Sequence, residues 1–98
     1  MQQNQYIQAI QAQAPHFVCK EVGNETLLVP LRDNVADFNQ YLTLNELGSF
    51  IYQLLTQGKS YETILTAIID TYEVNSELAA QDLSAYIELL YKYIIGDG

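Results

Sequence analysis

Apolar residues along this chain follow two regimes. Between Phe17 and Leu42 they come in short β-prone runs, and from Leu44 onward they recur every three or four residues. In the first regime, Phe17, Val18, Cys19 and Val22 make one extended run, and Thr26-Leu27-Leu28-Val29-Pro30-Leu31 makes a second. Gly23-Asn24 between them is a two-residue hairpin signal, because glycine tolerates the positive φ of a tight primed turn. Pro30 has no N–H to give a ladder, so its strand lies at an edge there or near its end. Arg32-Asp33-Asn34 reads as a turn. Residues 36–42 then alternate, with Phe38, Gln40 and Leu42 on one face and Asn39 and Tyr41 on the other. The expectation is a three-stranded antiparallel sheet.

In the second regime, Thr43-Leu44-Asn45-Glu46 has the spacing of a capping box, Thr43 accepting from the Glu46 amide. Leu47, Phe50, Ile51, Leu54 and Leu55 mark one helical face, and Gly58 supplies a left-handed stop. Ser60 caps a second helix whose stripe is Tyr61, Ile64, Leu65, Ile68, Ile69 and Tyr72. Asn75 or Ser76 opens the last helix, with Glu77 at the positive end of its dipole. Its stripe is Ala79, Leu83, Tyr86, Ile87, Leu90 and Ile94. Three strands followed by three one-sided helices predict a winged-helix-like α+β domain over residues 16–98.

Residues 1–15 stand apart. They carry no charge and six glutamines, with Tyr6, Ile7, Ile10 and Ala14 at helical spacing before Pro15. A frayed tail is the favoured reading over a short amphipathic helix formed against a partner, since helices this short are marginal in water.

Composition narrows the function. A chain of 98 residues, 49% hydrophobic, makes one domain with a real core. No apolar run approaches the ~18 residues that span a membrane, and no signal peptide is visible, so a cytoplasmic location is expected. Twelve acids against four bases (Lys20, Arg32, Lys59 and Lys92) give a net charge of −8. Phosphate backbones and anionic lipid surfaces attract the opposite kind of protein, which disfavours nucleic acid and membrane as partners.

Catalytic chemistry is thin. His16 is the single histidine, at the entry to the first strand, and Cys19 is the single cysteine, mid-strand, where a small buried hydrophobe is the usual role. No metal-ligand spacing or phosphate loop is present, so neither an enzyme nor a cofactor is expected. DNA binding remains the alternative that a winged-helix outline brings, together with a homodimeric structural or regulatory role. The helix entry that would reach a groove, residues 75–82, holds two acids and no base. An uncovered sheet edge, by contrast, offers unpaired backbone groups to an extended polypeptide. Tyr86, Tyr91 and Tyr93 flank the apolar stripe of the last helix, and Tyr41 sits in the third strand. Such residues rim binding surfaces, and they also close core margins.

From about Pro15 to Ile95 the chain resembles the PqqD family of small peptide chaperones. The matching stretches are residues 15–22, Thr26-Leu27-Leu28-Val29-Pro30, Asp37-Phe38-Asn39, Leu44-Asn45-Glu46, Leu54-Leu55 with Gly58, and Tyr72-Glu73-Val74 before an acidic last helix. The resemblance implies a recognition element that binds the leader segment of a ribosomally made precursor peptide. It presents the core to a modifying enzyme, often a radical SAM enzyme. In that family the leader lies along the third strand, beside the last helix. Carried onto this sequence, the contacts are Phe38, Asn39, Gln40, Tyr41 and Leu42 on the strand and Leu83, Tyr86, Ile87, Leu90 and Tyr93 on the helix. Some relatives place basic residues on that helix; here Asp82 and Glu88 outnumber Lys92, which implies an apolar or basic leader. The glutamine-rich start and residues 91–95 depart from the pattern and leave homodimerisation or an occluding tail open. The generic fit points to a broader PqqD-like protein rather than to pyrroloquinoline quinone itself.

Overall fold

The computed structural model describes residues 2–96 as one α+β unit with an antiparallel four-stranded sheet and four α-helices. Helix α1 (Gln2–Gln13) leads through a 3₁₀ turn (Ala14–His16) into β1 (Phe17–Val22) and β2 (Glu25–Arg32). Two short strands follow, β3 (Val35–Ala36) and β4 (Leu42–Leu44), then α2 (Glu46–Thr56), α3 (Tyr61–Tyr72) and α4 (Ser76–Ile95). No helix among the described residues is long and apolar enough to cross a membrane.

The β1–β2 hairpin pairs Val22 with Glu25 across Gly23-Asn24, and Gly23 takes φ +63° as the first position of a type II′ turn requires. β2 is central. It holds β1 on one side, while β3 and β4 share its other side in succession. The continuous third strand expected over residues 36–42 is therefore two pieces. Leu31 pairs with Ala36 and Leu28 with Leu42, so five residues (37–41) stand opposite two (Val29 and Pro30). Three residues too many for a regular ladder leave the sheet as an excursion.

Helix entries follow local capping chemistry. Asn45, not Thr43, caps α2: its side-chain oxygen accepts from the Gly48 amide at 2.9 Å, while Thr43 is held in β4. Ser60 caps α3 and Asn75 caps α4.

The core lies between the sheet and the helices, with Leu28, Leu44, Ile51, Leu55, Ile64, Ile68, Leu83, Ile87 and Leu90 fully buried. The N-terminal segment, for which composition favoured a frayed tail, is α1. Its Ile7 and Ile10 enter the core, and the Tyr6 ring stacks on Tyr91 with centroids 4.1 Å apart. Gln3 donates to the Ser84 hydroxyl at 2.9 Å, and Gln11 donates to the Leu55 and Lys59 carbonyls around the end of α2. A helix marginal in isolation is thus fixed by docking along α4. Cys19, expected as a small buried residue, is exposed, because β1 is an edge strand whose far side has no partner strand among the described residues. Partial burial and then Glu21 push its thiol pKa up.

Tyr52 on α2 is buried in this core, and its pKa is pushed up to about 12, first by burial and then by nearby Cys19 and Tyr93. The unfolded chain ionises this group near ~10, so its stabilising contribution is complete below that pH and is lost as pH rises toward the folded value, a change of about 2–3 kcal/mol. Urea unfolding at mildly alkaline pH and again near the folded pKa is expected to show this loss. Tyr52→Phe should reduce it; an unchanged slope in that variant would remove Tyr52 as its source.

Candidate functional site

The site is built where the third strand breaks. The Asp37 amide donates to the Pro30 carbonyl at 2.9 Å, so even-numbered β2 residues turn their backbone groups toward β3 and β4. Pro30 has no N–H to return, which ends the β3 ladder there. By the same parity Thr26 and Leu28 face Leu44 and Leu42, while Thr43 turns its N–H and C=O away from the sheet. Among the described residues no strand pairs with β4 on that far side.

The excursion beside it is fastened at several points. Arg32 Nε donates to Asp37 Oδ2 at 2.7 Å, and the Asn39 amide donates to Asp37 Oδ1 at 3.1 Å. The Lys20 ammonium lies 5.7 Å from the centroid of the Phe38 ring. Lys20 and Val29 point to the sheet face away from the helices, so Phe38 crosses that face, where Val29 is fully buried. Phe38 and Tyr41 each remain 52% exposed.

Helix α4 supplies the second wall. Its 20 residues present three stripes. Ser84 and Tyr91 meet α1, Leu83, Ile87 and Leu90 fill the core, and Asp82, Tyr86, Leu89 and Tyr93 form the flank beside the third strand. The Tyr93 hydroxyl lies between the carbonyls of Gln40 and Leu28, the latter at 3.1 Å, and so occupies the gap opened by the excursion. The Tyr86 hydroxyl donates to Asn45 Oδ1, the same atom that caps α2. Its ring lies on Gly48, where a β-carbon would stand 2.7 Å from Tyr86 Cε1. Burial raises both tyrosine pKa values. Asp37 adds to the rise at Tyr93; at Tyr86 the Asn45 hydrogen bond partly opposes it and Asp82 adds to it. Both hydroxyls therefore stay protonated donors at neutral pH. Leu89, between them on the flank, is 43% exposed.

The structure brings Leu42, Tyr86 and Tyr93 together at this seam. It places Phe38, Asn39 and Gln40 on the excursion rather than in a strand, with Tyr41 at its exit. Leu83, Ile87 and Leu90, expected as groove wall, have no exposed surface, because α1, α2 and α3 pack around the central stripe of α4. Thr43, Asn45, Gly48 and Leu89 do not stand out as site residues in the sequence. Leu89 carries a usable signal: it is a large apolar residue outside the core stripe, one turn from each tyrosine.

Two clefts flank the sheet. One of about 180 Å³ lies at the end of α4, lined by Phe17, Pro30, Arg32, Gln40, Tyr93 and Ile94. It has room for a side chain but falls short of the ~300 Å³ at which small-molecule sites begin. The other, about 370 Å³, opens at the β1–β2 hairpin tip beside Glu21, Glu25, Glu46 and the edge-on pair Phe50–Tyr72. Among the described residues no three His, Cys, Asp or Glu side chains converge as metal ligands.

The solved structure of TbiB1 in complex with the TbiA(beta) leader peptide is similar to this chain, with a TM-score of 0.67 at 28% identity. The match covers 85% of this chain and 91% of that one. No curated protein sequence matches significantly. The family model for coenzyme PQQ synthesis protein D (PqqD) matches residues 25–93, β2 through most of α4. The chain belongs to the PqqD family.

Proposed function

We propose that this protein binds the leader segment of a ribosomally made precursor peptide and presents it to a modifying enzyme, with no chemistry of its own. The guest adds as a strand to β4 and pairs with the outward-facing backbone of Thr43. Tyr41 flanks it on the strand side, and Tyr86, Leu89 and Tyr93 flank it on the helix side. Leu83, Ile87 and Leu90 act from behind, by holding α4 in place. The observation that carries this reading is the outward-turned Thr43 backbone lying beside a half-exposed apolar helix flank. The likeness to a leader-bound TbiB1 supports it. A net charge of −8, with Asp82 on the flank, favours an apolar or basic guest. The receiving enzyme suggested by the family resemblance is of the radical SAM class.

The test is an amide-resolved NMR titration with a panel of synthetic peptides: the TbiA(beta) leader and the N-terminal halves of short reading frames encoded beside this protein's gene. Saturable shifts at 41–44 and 86–93 with at least one peptide are expected. Silence across the panel at about 1 mM, the weak end of specific binding, or shifts confined to α3, would overturn the reading.

A further inference from the structure

We infer that the Tyr86 and Tyr93 hydroxyls are positioning groups that set the gap between α4 and the third strand, and that Gly48 is the notch that lets Tyr86 do so. The inference rests on the reading above and adds the residues that shape the seam. A partly buried tyrosine hydroxyl usually finds some partner, so the location of that partner is what counts. Here both hydroxyls reach the segment that bears the edge, Tyr86 at Asn45 just past β4 and Tyr93 at Gln40 just before it. The two attachments bracket β4. They lie seven residues apart on α4, about 10 Å, which equals about three residues of an extended guest. Leu89 falls between them.

The lower attachment depends on a missing side chain. With hydrogen at position 48, the Tyr86 ring settles against α2 and its hydroxyl reaches the capping oxygen of Asn45. Asn45 Oδ1 thereby joins three elements: the end of β4, the first turn of α2 and the flank of α4. A seam held at both ends is preorganised, and a guest that meets it loses less freedom in ordering it.

Tyr86→Phe and Tyr93→Phe each keep the ring and remove the hydroxyl. With a peptide from the panel that binds the unmodified protein, each is expected to weaken affinity about five-fold, the worth of one hydrogen bond. The folded amide spectrum should persist, and peptide-induced protection of the Thr43 N–H from exchange should fall, which a purely structural role would not produce. Unchanged affinity in both phenylalanine variants would overturn the inference alone. So would tighter binding, which would make the hydroxyls a latch. Failure of every peptide to bind the unmodified protein would overturn the proposed function, and this inference with it.

Discussion

Leu90→Ala is expected to destabilise the fold by about 3 kcal/mol, roughly 15 °C in melting temperature for a domain of this size. Leu90 has no exposed surface and belongs to the core cluster with Leu83 and Ile87, so the truncation leaves a cavity that the flanking helices cannot fully close. The peptide affinity of the molecules that stay folded should change little, because the lost atoms never reach the seam. Leu89→Ala, one position earlier, is expected to behave in the opposite way. Its side chain is half in solvent and alanine is a good helix former, so stability should move by no more than about 0.5 kcal/mol. Peptide affinity should fall about ten-fold through loss of an apolar anchor. Urea unfolding followed by circular dichroism, with calorimetric titration of a binding peptide, separates the two. A stable Leu90→Ala that fails to bind would move the site into the central stripe of α4.

Gly48→Ala is expected to destabilise the protein by about 1–2 kcal/mol, against its own helix propensity. In the interior of an exposed helix this change gains about 1 kcal/mol. Here the added carbon meets Tyr86 Cε1 at 2.7 Å, Tyr86 Cζ at 3.2 Å and Leu44 Cβ at 3.3 Å. The ring cannot swing aside without breaking its bond to Asn45, and overpacking of this kind costs about 1–3 kcal/mol. The discriminating measurement is the same substitution in a Tyr86→Ala background. With the ring gone, Gly48→Ala should become stabilising, reversing its sign. The same sign in both backgrounds would mean that Tyr86 yields freely.

Much of the helical half is legible in the sequence because its period is local. Ser60, Asn75 and the stripes of α2 to α4 follow from residues within one turn of each other. The same locality misleads at Thr43, whose spacing to Glu46 fits a capping box while the residue is held in the sheet opposite Leu27. The third strand is misread for a related reason. Residues 36–42 alternate as a strand should, but alternation cannot reveal that only two β2 residues stand opposite five. That mismatch exists only once β2 is in register with both pieces. Helix α1 is undervalued because its stability comes from Tyr91, Ser84 and the core, all remote in sequence. In α4 the periodicity identifies the apolar face but not how much of it is covered. Placing Leu83 and Leu90 in the core rather than in a groove requires knowing that α1 closes the side opposite the third strand.

The brevity of β4 limits how any visitor is held. Three residues long, with Thr43 alone facing outward within it, the strand offers about two backbone hydrogen bonds at ~1 kcal/mol each. Micromolar affinity needs about 8 kcal/mol, so the mooring lines are few and most of the grip must come from side chains. If the proposed role holds, a carrier built this way would suit brief occupancy: docking a passing chain, leaving its free end open to a second protein, and letting go without unfolding anything.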